Sequence, residues 1–112
     1  MKPSEILRTA RQLLIDKGWT QGYYAKNAAG QRTDPITGDP ACFCSIGAMV
    51  KAIGIFSPLT TEYQKARRHL VAQQNGIQEN LLSLWNDTPG RTKDEVVSAF
   101  ERAALAAEAA GE

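Results

Sequence analysis

Residues 39–54 read DPACFCSIGAMVKAIG, and this stretch decides the fold of the chain. Asp39 favours the N-cap of a helix, and Pro40 suits the first helical position because its missing N–H would have no partner there. Gly54 can adopt the positive φ that commonly ends a helix. Because the stretch is apolar on nearly every face, it predicts a buried central helix over about residues 40–53.

The side chains of this helix also predict how it packs. Its larger apolar residues recur at helical spacing and form one packing line: Phe43, Ile46, Val50 and Ile53. The small residues Gly47 and Ala48 would let a neighbouring helix approach closely. We therefore expect residues 43–53 to be enclosed by the other elements and shut off from water.

Four more helices are predicted from apolar residues at helical spacing. The first covers about residues 4–17. The third begins at Pro58 or at Thr61, which are competing start signals, and ends near Gln73. A short fourth helix follows, and the fifth begins at the capping box Thr92–Glu95. The apolar residues that define the last two are Ile77, Leu81, Leu84 and Trp85 in the fourth, and Val96, Phe100, Ala103, Ala104 and Ala107 in the fifth.

Between the first two helices the chain is rich in glycine and proline, which favours turns over helix. Tyr23–Lys26 and Gln31–Thr33 flank Asn27–Gly30, a turn sequence with glycine at a left-handed position. These segments predict a small β-hairpin over about residues 22–34. The whole pattern predicts a mainly α fold: a five-helix, single-domain bundle over residues 1–112, with the hairpin placed after the first helix.

Charge and composition narrow the function classes. With 13 Lys and Arg against 12 Asp and Glu, the formal net charge is +1, which does not predict the electrostatic field of a nucleic-acid binder. The one local basic cluster, Lys65 with Arg67 and Arg68, is typical of a solvated helix face. No apolar run reaches the roughly 18 residues of a membrane span. We therefore expect neither a nucleic-acid partner nor a membrane.

The two cysteines, Cys42 and Cys44, are separated by one residue. Within one helix their side chains would diverge, so a disulfide between them is not expected. The N-terminus also lacks the layout of a signal peptide. These features predict a reducing, cytoplasmic location.

Three segments occur in an order that resembles a known family. They are Gly18–Gly22 (GWTQG), Cys44–Ala48 (CSIGA) and Trp85–Thr92 (WNDTPGRT), of which the third is the most specific. The chain resembles a family of small bacterial and phage proteins, common in actinobacteria, known only as a domain of unknown function. The resemblance covers about residues 6–104. It implies a cytoplasmic single-domain protein and brings no established activity.

A cysteine-dependent hydrolase or acyltransferase is the sharpest enzyme hypothesis. Cys44 would be the nucleophile, His69 the base, and Asn86 or Asp87 the group that orients the base. Three features argue against it. His69 lies at the boundary of an amphipathic helix, the pattern offers no core sheet to carry a papain-like histidine, and apolar surroundings would raise the pKa of the Cys44 thiol. We therefore favour a structural core cysteine and assign no catalytic residue.

A metal site built from the four candidate ligands Cys42, Cys44, His69 and Asp87 is not predicted. Structural zinc sites typically use cysteine pairs separated by two to four residues, together with two further ligands. One Cys-x-Cys and a single histidine do not meet that pattern. The sequence therefore predicts no metal and no other cofactor.

The hypothesis that we favour is a small, non-enzymatic, protein-binding module, associated with phage or mobile elements. The small size, the near-neutral charge and the absence of a recognisable catalytic set favour it, and loops on a helical scaffold often hold binding groups. The candidate surface combines the hairpin with the turn at Asn86–Arg91, and its residues are Trp19, Tyr23, Tyr24, Arg32, Asn86, Asp87 and Arg91. A structural alternative has Arg91 pairing with Asp87 to close the turn. The expected partner is another protein, and a homo-oligomer stays open.

Overall fold

The computed structural model describes residues 1–55, 60–74 and 81–112. Its elements, in chain order, are α1 (Pro3–Asp16), β1 (Ala25–Lys26), β2 (Cys42–Phe43), α2 (Ser45–Ile53), α3 (Thr61–Ala72), α4 (Leu82–Asn86) and α5 (Lys93–Ala109). Within these residues the predicted mainly α class, five helices and small two-stranded sheet are confirmed. The radius of gyration of 12.7 Å is that of a compact globule.

The first helix holds the bundle together, since α1 packs against α2, α3 and α5. Its buried stripe follows the predicted helical spacing and consists of Ile6, Leu7, Ala10 and Leu14. The predicted face of α5 is also confirmed, because Val96, Phe100, Ala103, Ala104 and Ala107 are all fully buried. The capping box at the start of α5 forms as expected, with Thr92 accepting from the Glu95 N–H.

The start of the central helix is a correction to the sequence prediction. Helix α2 begins at Ser45, not at Pro40, and its N-cap is Cys44. The sulfur of Cys44 accepts the Gly47 N–H at 3.3 Å, as an N-cap oxygen would. At the other end Gly54 has φ of 77°, so the predicted helix stop is confirmed.

The sheet is a second correction, because its longer pairing joins β1 to β2. Ala25 faces Phe43 in antiparallel register. The predicted turn at Asn27–Gly30 is present, with the Asn27 N–H donating to the Gln31 carbonyl at 2.8 Å. The predicted second strand, however, is reduced to one isolated bridge between Lys26 and Arg32.

Hydrogen bonds on both sides of Phe43 explain why it is extended rather than helical. The Phe43 N–H donates to the Gly18 carbonyl at 3.0 Å, and its carbonyl accepts from the Thr20 N–H at 2.9 Å. On the other side, the Cys44 N–H donates to the Tyr24 carbonyl at 3.0 Å. These remote partners satisfy the backbone of β2 and outweigh the local capping signals of residues 39–40.

The close approach predicted at Gly47 occurs, but its neighbour is a loop and not a helix. A Cβ added to Gly47 would lie 1.9 Å from the carbonyl oxygen of Tyr24. Residues 43–50 are buried, as predicted, whereas Lys51–Ile53 are partly exposed. The enclosed part of the segment is therefore its N-terminal two-thirds.

The third and fourth helices also differ in detail from the prediction. Helix α3 begins at Thr61; the alternative start at Pro58 and the residue Ile77 lie outside the described residues. In α4, Leu82 is fully buried, while Leu84, one of the apolar residues from which this helix was predicted, is 65% exposed. The reason is that the buried Trp85 and the Asn86 that follows it set the inward face of this short helix.

Candidate functional site

A buried asparagine joins remote parts of the chain. Asn86 at the end of α4 is 1% exposed. Its Oδ1 accepts from the Trp19 indole N–H at 2.8 Å, the Ser45 backbone N–H at 2.9 Å and the Ser45 hydroxyl at 2.7 Å. Its Nδ2 donates to the Thr20 carbonyl at 3.1 Å and to Asp87 Oδ1 at 2.9 Å. All the hydrogen-bonding capacity of this amide is used inside the protein.

Further polar contacts tie the loop after α1 to the turn after α4. Gln21 Nε2 donates to the carbonyls of Asn86 and Thr88, at 3.0 Å each. The Gly22 N–H donates to Asp87 Oδ1 at 3.0 Å. The segments Gly18–Gly22, Cys44–Ala48 and Trp85–Thr92 thus meet at one place, which we call the Asn86 junction.

A cleft of about 320 Å³ opens beside the Asn86 junction. It is lined by Gly22, Tyr23, Tyr24, Arg32, Cys44, Ile46, Ser83, Asn86 and Asp87. Tyr23 and Tyr24 are 46% and 45% exposed, and Arg32 is exposed beside them. The structure therefore brings five of the seven predicted binding residues to this one cleft.

The other two predicted binding residues lie elsewhere. Trp19 is part of the Asn86 junction, where its indole N–H is bonded. The predicted Arg91–Asp87 pair is wrong: Arg91 donates to the Trp85 carbonyl at 3.1 Å, forms an ion pair with Glu95 at 2.9 Å and stacks over the Trp85 ring. Asp87 instead accepts hydrogen bonds from the Gly22 N–H and from Asn86 Nδ2. The side chains of Arg91 and Asp87 therefore have different partners.

Cys44 lies in the wall of the cleft with its side chain mostly covered. The residue is 7% exposed, and burial raises the pKa of its thiol to about 11. Hydrogen bonds from the Gly47 and Ile46 N–H groups favour the thiolate, but they are outweighed by burial, to which the negative charge of Asp87 adds. At neutral pH the Cys44 side chain is therefore a neutral thiol, which is a poor nucleophile.

His69 is placed away from this thiol. Its Nε2 is 2.6 Å from Glu112 Oε1, near the C-terminal end of α5. His69 is not among the described residues that line the cleft. The structure thus brings Cys44 together with Asn86 and Asp87 but leaves out the base that the enzyme hypothesis requires.

Sequence reasoning missed two residues of this region. Ser45 hydrogen-bonds to Asn86 Oδ1, and Ser83 lines the cleft. The available signal was the order of the three family segments, which the sequence offered only as a resemblance. Contacts between residues 41 to 67 positions apart leave no periodic trace in one sequence.

These features describe a small helical protein in which the buried side-chain amide of Asn86 joins three separate segments by hydrogen bonds. The chain belongs to the family of unknown function DUF6197, whose model matches residues 1–106. The predicted membership of a family of unknown function is thereby confirmed. Searches among curated proteins and among solved structures give no match.

The described part of the chain shows neither a membrane-spanning helix nor a metal-binding cluster. Across residues 1–55, 60–74 and 81–112, no helix is long and apolar enough to cross a bilayer. In the same ranges, no three His, Cys, Asp or Glu side chains are grouped so as to hold a metal ion. The cleft beside the Asn86 junction remains the candidate site.

Proposed function

We propose that this protein is a non-enzymatic protein-binding module and that its contact surface is the cleft beside the Asn86 junction. One observation carries the proposal: Tyr23 and Tyr24 stand nearly half exposed at the rim of this cleft. Tyrosine is enriched where proteins bind each other, because it offers a large apolar ring and a hydroxyl at low entropic cost.

The rim is supported by a backbone that is held in place. The Tyr24 carbonyl accepts from the Cys44 N–H at 3.0 Å, and the Gly22 N–H is bonded to Asp87. The Lys26 ammonium lies 5.4 Å from the centroid of the Tyr23 ring. A rim fixed on both sides of the tyrosines loses little conformational entropy on binding, which favours affinity.

Photo-crosslinking tests the proposal without a known partner. A benzophenone amino acid replaces Tyr23 in the full chain, expressed in the cells that naturally carry the gene. The matched control places the same group at Leu105, which is 53% exposed on α5. We expect one discrete crosslinked protein from position 23 that is absent from position 105.

The partner identified in this way is then purified and titrated. Tyr23→Ala should weaken its binding by about tenfold or more, as expected of an interface anchor, while Leu105→Ala leaves it unchanged. Equal crosslinking from both positions, or equal affinity of both variants, would rule out the cleft as the binding surface.

The enzyme hypothesis predicts a different behaviour for Cys44. Because burial raises the pKa of its thiol to about 11, we expect iodoacetamide to label Cys44 slowly at neutral pH and faster in denaturant. The partly exposed Cys42 is the internal control. Rapid labelling of Cys44 that titrates below the ordinary thiol value, and that is lost in His69→Ala, would restore the hydrolase or acyltransferase hypothesis.

The cellular setting belongs to the same proposal. A cytoplasmic location and an association with phage or mobile elements rest on the family resemblance. Both stay predictions, and the genes on either side of this one in several genomes test the second.

A further inference from the structure

We infer that the cleft recognises its partner through a carboxylate side chain that Arg32 binds. This inference rests on the proposed function and adds the chemistry of the partner segment. The charged groups around the cleft differ in what each already contacts.

The carboxylates near the cleft are engaged within the chain. Asp87 Oδ1 accepts from the Gly22 N–H and from Asn86 Nδ2. Asp34 Oδ1 accepts from the backbone N–H groups of residues 36 and 37, at 2.8 and 2.9 Å, and these bonds hold the pKa of Asp34 below its usual value. Both carboxylates therefore have part of their need for donors met internally.

The guanidinium of Arg32 differs from these groups. Within the described part of the chain it has no ion-pair or hydrogen-bond partner, and the residue is exposed. It lines both the cleft and an adjoining hollow of about 250 Å³ formed with Tyr24, Thr33, Asp34 and Pro35. The other nearby cation, Lys26, already lies against the ring of Tyr23. Among the described residues that line the cleft, Arg32 is the only cation, and its guanidinium donors are not used within the described chain.

A carboxylate fits this site better than a phosphate does. The planar guanidinium binds a carboxylate through two parallel N–H···O bonds, which one arginine can supply alone. A phosphate monoester carries almost two negative charges and is normally met by several cations. Asp34 and Asp87 would repel that dianion more strongly than a single carboxylate. We therefore assign the partner group as a glutamate or aspartate side chain.

Short peptides test the assignment directly. The full-length protein, labelled with ¹⁵N, is titrated with acetyl-Ala-Glu-Ala-amide, with its Gln and Lys counterparts, and with the phosphoserine counterpart. The Glu peptide should shift the amide signals of Gly22, Tyr23 and Arg32, and the Gln peptide should shift them at least about threefold less at equal concentration. The Glu-induced shifts should shrink when salt is added.

Two arginine variants provide the matched comparison. Arg102 on α5 is likewise exposed and, in the part of the chain that the structure describes, likewise without an ion-pair partner. Arg32→Gln should abolish the preference for Glu over Gln, whereas Arg102→Gln should keep it. The charge-reversed Arg32→Glu should instead respond to the Lys peptide, which shows that the variant is folded and that charge decides.

The results separate this inference from the proposed function. Equal shifts by the Glu and Gln peptides, equal effects of the two arginine variants, or a stronger response to phosphoserine would overturn the carboxylate assignment. If the Tyr23 crosslink persists in that case, the cleft is still a protein-binding surface with another chemistry. If the Glu preference holds but position 23 crosslinks no protein, the inference stands as a small acidic-ligand site and the proposed function fails.

Discussion

Two regions of this protein tie distant parts of the chain by polar contacts, and they do so in opposite environments. At the Asn86 junction, an amide that is 1% exposed joins Trp19 and Ser45 to the end of α4. Between the first and last helices, Arg8 of α1 pairs with Glu101 and Glu108 of α5 through side chains that are 37–48% exposed. Both regions join remote segments. Water competes for the charged groups of the Arg8 pairs but does not reach the amide of Asn86.

This difference in exposure decides what each region contributes. A buried donor that loses its partner cannot turn to water, so removing Asn86 leaves several groups unsatisfied. An exposed ion pair is replaced by hydration on both sides and is screened by salt. We therefore expect the Asn86 junction to specify the fold and the Arg8 cluster to modulate it slightly.

The largest effect is expected for Asn86→Ala. The Trp19 indole N–H and the backbone and hydroxyl of Ser45 would lose their acceptor, so the free energy of unfolding should fall by about 3–5 kcal/mol. Urea unfolding followed by circular dichroism measures this. Leu84→Ala, at a 65% exposed position of the same helix, is the control and should change stability by less than about 0.5 kcal/mol. Similar losses in both variants would contradict the role of the junction.

The next effect is expected for Gly47→Ala, beside the same junction. The added Cβ would lie 1.9 Å from the Tyr24 carbonyl oxygen, so the loop at Tyr24 or α2 must shift, at a cost of about 2–3 kcal/mol. Gly54→Ala is the control: it has φ of 77° but meets no described atom within 4 Å, so only the backbone strain of about 1 kcal/mol applies. A Gly47 variant no less stable than the Gly54 variant would show that the close packing is dispensable.

A smaller effect is expected in the exposed region. Arg8→Gln removes the ion pairs to Glu101 and Glu108, and the urea midpoint should fall less than for either buried change. The difference from wild type should fade in about 1 M NaCl, where charges are screened within a few ångströms. A loss as large as that of Asn86→Ala, or one that salt leaves unaltered, would break the contrast between the two regions.

The smallest effect depends on pH. Hydrogen bonds from His69 and then Lys65 lower the pKa of Glu112 below its ordinary value of 4.5. Since the folded pKa lies below the unfolded one, the stabilisation is present above pH 4.5 and is lost as the pH falls through the folded value. Glu112→Gln should therefore be slightly less stable than wild type at neutral pH and equal to it in acid, as thermal unfolding at several pH values can show. A gap that persists in acid would contradict this.

Local signals predicted most of the helical architecture. The apolar face of α5, its Thr92–Glu95 box and the stop at Gly54 were all readable, because each depends on residues within a few positions of one another. The start of α2 was not. Asp39 and Pro40 carry a valid capping signal, but Phe43 gains backbone partners from residues 18 and 20 when it is extended.

The candidate site was likewise predicted only in part. The sequence singled out Tyr23, Tyr24 and Arg32 by residue type, and the structure places them on one cleft. It also named Asn86, but as a member of a turn and not as the centre of a buried network. Burial and partner identity depend on which distant segments meet, and one sequence does not encode that in its periodicity.

By itself, then, the sequence determined the helical class, the core faces and the family, because these follow from hydrophobic spacing, capping and a distinctive order of segments. Only the tertiary structure decided that Cys42–Phe43 is a strand, that His69 lies away from Cys44, and that Asn86 fastens three segments. The physical reason is that hydrogen bonds between remote groups, made in the absence of water, outweigh the local preferences that a sequence displays.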